Sequence, residues 1–136
     1  MEVIVNYLRN AQFEAVARGH RVLCDQPAEN RGTDAGMAPP EFLLTSLGTC
    51  AGYYAAEYLR TRSLPTEGLR VRVTADKAAQ PARLGSFRIE VTTPELDAHH
   101  EAGVLRAVKS CLIHNTLLHA PQIEIALETR APATIS

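Results

Sequence analysis

The residues best suited to do chemistry in this chain are its three cysteines, Cys24, Cys50 and Cys111. A thiol reacts as its thiolate. Two thiols that face one another can run a redox cycle, one oxidised to a sulfenic acid and the other condensing with it to a disulfide. His114, three residues after Cys111, could share a helix face with that thiol and assist its ionisation or join a metal. A metal site wants four ligands at tight spacing. Neither C-x-x-C nor H-x-x-x-H is present, so no metal is expected on Cys24, Cys50, Cys111 and His114. Gly-rich phosphate loops and paired catalytic carboxylates are absent as well, and no cofactor is expected. The bland alternative is that the cysteines only fill space, since free cysteine is among the most buried residue types. That reading suits Cys24, which shares strand parity with Val22. It also suits Tyr53 and Tyr54 as packing around Cys50, and His99 and His100 read as a solvated helix start.

The elements that must position these thiols follow from periodicity. Val3, Val5 and Tyr7, then Phe13, Ala15 and Ala17, alternate with polar or solvent-tolerant neighbours, and His20 to Asp25 follows after Gly19, giving a three-stranded meander. Residues 26–40 turn to Pro, Gly, Asn and Asp, a loop of about 15 residues, and loops that long are often functional. A helix is expected over Pro40 to Arg62, with Pro40 in its first turn and Glu41 complementing its dipole. Leu43, Leu47, Cys50 and Tyr54 fall on one stripe, and Leu44, Gly48, Ala51, Ala55 and Leu59 on another, so the helix is buried on more than one side. Gly48 and Gly52 each cost about 1 kcal/mol relative to alanine, which close approach of a helix or sheet would offset. A partner subunit is expected to supply part of the covering.

Leu69 to Asp76 and Phe87 to Thr92 alternate as two strands of a long hairpin, with Arg70, Arg72 and Arg88 on its wet face. A second helix starts at Asp97, a good N-cap, and buries Val104, Val108, Cys111 and Leu112, which puts Cys111 near its end. His114 to His119 make a further helical turn. Ile123, Ile125 and Leu127 form a last strand, and residues 130–136 a frayed tail. The order βββ-α-ββ-α-(α)-β indicates an α+β fold, with an antiparallel sheet around a long buried central helix, in a single domain over residues 1–129.

The 136 residues carry a formal net charge of −1 and no basic stripe, which argues against nucleic acid. There is no signal-peptide pattern at the N-terminus and no apolar run of the roughly 18 residues that span a bilayer. A cytoplasmic location is expected, where structural disulfides are rare.

The segment PPEFLLTSLGTC (Pro39 to Cys50), followed by SCLIHNTL (Ser110 to Leu117), resembles the OsmC/Ohr family of osmotically inducible and organic hydroperoxide resistance proteins. The likeness extends over nearly the whole chain and its strand order. It implies an intertwined homodimer with active sites at the subunit interface, and a thiol peroxidase acting on organic hydroperoxides. Cys50 matches the family's peroxidatic cysteine and Cys111 its resolving cysteine, with an external dithiol as reductant. Glu41 matches a glutamate that holds an activating arginine. Nine helical residues set Glu41 about 13 Å along the axis from Cys50 and on the opposite side, so it would act through an arginine of the N-terminal hairpin. The peroxidases carry a Gly-Arg turn there, whereas this chain has Arg18-Gly19-His20-Arg21. Arg18 or Arg21 can fill the role, and solvated strand faces are an equal reading. The alternative to an enzyme is a non-enzymatic dimer of the same fold that binds an apolar small molecule or senses redox state.

Overall fold

The structure is a computed structural model that describes residues 1–131. The expected frayed tail therefore falls, from residue 132 on, outside the described residues. The chain begins with strands β1 (Ile4–Arg9), β2 (Gln12–Ala17) and β3 (His20–Cys24), paired antiparallel in that order. The tight β2–β3 turn places Arg18 and Gly19 at φ of 51° and 82°, a conformation natural for glycine and costly for an arginine. Register puts Val5, Tyr7, Phe13, Ala15, Val22 and Cys24 on one face of this sheet. That face is open: Val5 is 57% and Tyr7 62% exposed.

After a loop, helix α1 (Pro39–Thr61) begins with two prolines in its first turn, and the Glu41 carboxylate accepts the Ala38 amide at 3.0 Å. Beyond the prolines at its start and Thr61 at its end, only Glu41, Thr45, Thr49, Tyr53 and Arg60 along it are exposed. Both stripes expected to be covered are at least half-buried, and Leu47, Ala51, Ala55 and Leu59 are buried outright.

Strands β4 (Arg70–Ala78) and β5 (Arg83–Thr92) form an antiparallel hairpin that packs on α1. The approach is close because of Gly48: a methyl group there would stand 3.1 Å from Val73 Cγ2. On the wet face Glu90 pairs with Arg72 at 3.3 Å and Arg88 at 2.8 Å. Helix α2 (Ala98–Val108), capped by the Asp97 carboxylate on the His100 amide, closes the core with Val104 against Ala55, Tyr58 and Leu59. Helix α3 (Leu112–Leu118) packs against α1 as well. The architecture is mixed α+β with antiparallel sheets, as expected.

Two expectations are corrected. The second helix stops at Val108, so Cys111 is not on it but caps α3, and Leu112 is exposed rather than buried. The alternating run at Ile123, Ile125 and Leu127 forms no strand, and these residues are 78%, 94% and 90% exposed. A strand needs a neighbouring edge for its amides and carbonyls, and this segment pairs with neither sheet of the chain. Among the described residues no helix is long and apolar enough to cross a membrane.

Candidate active site

Cys50 sits midway along α1, on its half-buried side, and the fully buried Cys111 stands at the N-cap of α3. The break between α2 and α3 makes this meeting possible. Lys109 and Ser110 end one helix, and Cys111, at φ −57° and ψ 127°, starts the next with its Sγ accepting the His114 amide at 3.4 Å. The turn also aims the amides of Leu112 and Ile113 toward the Cys50 sulfur.

The two thiols differ in acidity for identifiable reasons. Burial works against the charged form of Cys50, but the Cys111 thiol and the amides of Ile113 and Leu112 donate to its sulfur, and the balance lowers its pKa. Burial raises the pKa of Cys111, and so does the hydrogen bond it gives to Cys50, against weaker help from the amides of His114 and Ile113. Hydrogen bonds to a charged form favour it, and desolvation disfavours it. Cys50 is therefore the more acidic thiol of the pair and Cys111 the less acidic. A thiolate beside a thiol, within a partly open helix face, can attack an electrophile and then be captured by its neighbour.

The remaining sequence candidates lie elsewhere in the single chain. Glu41 is spent on the start of α1, as the helix geometry required. Arg21 pairs with Glu14 at 2.5 Å on the surface of the first sheet, and Arg18 occupies the β2–β3 turn. Neither arginine is among the groups that shift Cys50. Cys24 ends β3, bridged to Met37, and its thiol is pushed up by burial and by the charge of Asp25, as suits a packing residue. Tyr53 is exposed and stacks edge-on with Tyr54 at 5.4 Å. His99 and His100 do stand at the start of α2, but His100 Nδ1 is engaged by the Tyr58 hydroxyl at 2.9 Å. Among the described residues no group of three or more His, Cys, Asp or Glu is placed to hold a metal ion.

Sequence reasoning missed the amides of Leu112 and Ile113, because Lys109 and Ser110 carry no strong helix-breaking signal. It also missed Asp25. This fully buried carboxylate accepts from Gln26 N at 2.7 Å, Thr33 N at 3.2 Å, Thr33 Oγ1 at 2.8 Å and Ala35 N at 2.9 Å. Donation from Ala35 above all, against the cost of burial, holds its pKa down to about 2. The Asp25 amide meanwhile donates to Met37 O at 3.2 Å. The long loop is thus wound on one side chain, and the loop sets where α1 begins. An Asp at a strand end before a Pro/Gly/Asn-rich stretch was the available signal.

Against known proteins, a family described as OsmC-like protein matches residues 32–126. Among solved structures, an osmotic stress induced and detoxification response protein of Psychrobacter arcticus 273-4 superposes with a TM-score of 0.77 at 23% identity, covering 84% of this chain and 85% of that one. An OsmC-like protein of Mycoplasma pneumoniae gives 0.73 at 19% identity, covering 88% and 87%. An organic hydroperoxide resistance protein OsmC of Legionella pneumophila gives 0.60 at 13% identity, covering 88% and 90%. At these identities the likeness is one of fold. Among curated proteins none matches the chain by sequence.

Proposed function

The chain belongs to the OsmC-like protein family, and from that premise we propose that it is a thiol-dependent peroxidase that reduces organic hydroperoxides. The observation that carries this is the unequal thiol pair, Cys50 held toward the thiolate and Cys111 held as the thiol beside it. The fold likeness to a Legionella protein named for organic hydroperoxide resistance supports the substrate class.

In the first step the Cys50 thiolate attacks the terminal peroxide oxygen and the O–O bond breaks. Cys50 becomes a sulfenic acid, and the leaving alkoxide takes a proton to become the alcohol. Cys111 then attacks the Cys50 sulfur, the S–O bond breaks, and water leaves as the disulfide forms. An external dithiol of low potential reopens the bridge by exchange. No cofactor enters this cycle.

The acting unit in this proposal is a homodimer. The open apolar face of the first sheet and the unpaired Ile123–Leu127 run are both surfaces that a second copy would cover. The arginine that activates Cys50, Arg18 or Arg21, would then come from the partner subunit, and no membrane or nucleic acid takes part.

One observation favours a second reading. Val5, Phe13, Ala15 and Cys24 of the first sheet face Pro39 and Phe42 across an almost wholly apolar groove of about 410 Å³, suited to a non-enzymatic binder of an apolar small molecule. The two are separated by stopped-flow oxidation of the reduced protein with an organic hydroperoxide, followed by mass spectrometry. Rapid loss of two thiols with a Cys50–Cys111 bridge, abolished in Cys50→Ser, is expected. A Cys50→Ser protein that consumes hydroperoxide at the wild-type rate refutes the peroxidase.

A further inference from the structure

The first amides of a helix have no partners inside it. In α3 those of Leu112, Ile113 and His114 are met by sulfur. The Leu112 and Ile113 amides donate to Cys50, and the Ile113 and His114 amides to Cys111, the last at 3.4 Å. The helix is only seven residues long, too short to stand in water by itself. Leu112 and Leu118, near its two ends, are 61% and 66% exposed. Its persistence therefore depends on how its start is held.

That hold changes with the oxidation state of the pair. A thiolate is a strong acceptor and a neutral sulfur a weak one. When a hydroperoxide takes two electrons from the pair, an S–S bond forms and the alcohol and water leave. The bond removes any charge from Cys50 and draws the sulfurs from hydrogen-bond contact to about 2 Å. Cys50 is the fixed end, midway along α1 between the buried Leu47 and Ala51, where Gly48 packs close on Val73. Cys111 is the yielding end, in the break between α2 and α3 beside the exposed Lys109 and Ser110. As it moves, the His114 amide, already at a long 3.4 Å, loses its acceptor.

We propose that α3 is a redox-governed lid, held at its start by the two sulfurs while they are reduced and loosened there once Cys50 and Cys111 are bridged. It rests on the peroxidase reading for the identity of the oxidant. The helix supplies His114, Leu117 and Leu118 to the wall of a cavity of about 390 Å³, opposite Leu47, Phe87 and Ile89. Loosening α3 opens that wall and uncovers Cys111, which is wholly shielded in the reduced chain. The bridge thereby becomes accessible to the dithiol that reopens it, and reduction restores the sulfurs to the amides and closes the lid.

The test bypasses hydroperoxide. Diamide, an azo oxidant that takes both electrons and both protons of a thiol pair, closes the bridge, which mass spectrometry verifies. Amide hydrogen exchange is then compared residue by residue, by NMR, in the reduced and bridged protein. Exchange across α3 is expected to quicken by about fivefold, the scale of a lost N-cap, while α1 and the β4–β5 hairpin stay unchanged. Cys50→Ala, which cannot bridge, should show no change in α3 on the same treatment. Equal or slower exchange of α3 in the bridged protein overturns the proposal, and so does an equal quickening in Cys50→Ala. A chain in which diamide closes no Cys50–Cys111 bridge has no such lid, whatever its activity toward hydroperoxides. A chain whose α3 loosens on bridging but which ignores hydroperoxides refutes the peroxidase and leaves the lid standing.

Discussion

Substituting Gly103 by alanine sets two physical terms against each other. Gly103 is buried within α2, where alanine is the better helix former by about 1 kcal/mol. Considered as a helix residue alone, Gly103→Ala should stabilise. The packing says otherwise. A methyl group at this position would overlap the hydroxyl and ring of Tyr58 from α1, with Cε2 at 2.5 Å. The ring cannot slide away cheaply, because its hydroxyl is bonded to His100 Nδ1 at 2.9 Å and the Arg62 guanidinium lies 3.7 Å from its centre. Overpacking of this kind costs about 1–3 kcal/mol, and displacing the phenol from His100 costs about another 1 kcal/mol. The gain in helix propensity offsets only part of this, so the net loss is about 1–3 kcal/mol. For a chain of this size that lowers the melting temperature by roughly 3–12 °C, measurable by calorimetry alongside urea titration. Tyr58→Phe in the same background removes the overlapping oxygen but not the ring carbon behind it, so a double-mutant cycle should show partial recovery. A Gly103→Ala protein at least as stable as wild type would refute the claim that the α1–α2 contact is this tight.

Further outcomes follow from the same geometry. Cys111→Ser should leave the first equivalent of hydroperoxide reduced but halt the cycle at a Cys50 sulfenic acid, detected as a dimedone adduct by mass spectrometry. Asp25 has its pKa depressed to about 2, so its contribution to stability is complete above the ordinary carboxylate range near 4 and is lost as pH falls toward 2. The gap in melting temperature between wild type and Asp25→Ala should accordingly be constant from pH 5 to 7 and shrink below pH 4; a gap independent of pH down to 2 would show that the charged carboxylate is not what holds the loop. Arg18→Gly should raise stability by up to about 1 kcal/mol, since the turn holds φ at 51°. A fall in hydroperoxide turnover in that more stable variant would assign Arg18 rather than Arg21 to the site.

Most of the scaffold could be read from residue periodicity. The meander, the β4–β5 hairpin and the Asp97 cap have local causes: alternation over six to ten residues, and side chains that satisfy neighbouring amides. Helix α1 was legible for the same reason, with prolines at its start and Gly48 where β4 comes close. What escaped is set by tertiary contacts. Cys111 fits the apolar stripe of a longer α2 equally well, and only its burial against α1 makes it the cap of a new helix. Ile123, Ile125 and Leu127 carry a strand pattern but pair with neither sheet and stay exposed. Asp25 read only as the last residue of the third strand, because its four donors come from as far away as Ala35. The thiol pair was legible as a pair of residue types, whereas their division into thiolate and thiol depends on amides that only the folded turn presents.

The first sheet pairs its three strands within one chain and has an apolar face that the chain leaves bare. Its strands can therefore assemble before anything covers them, while its burial awaits an encounter. With a second copy as the cover, folding divides into a unimolecular stage and a bimolecular one. The last phase of refolding would quicken with protein concentration, and the melting temperature would rise with it by mass action. In the interval the bare face is adhesive, so refolding yield should pass through an optimum, with slow assembly below it and aggregation above.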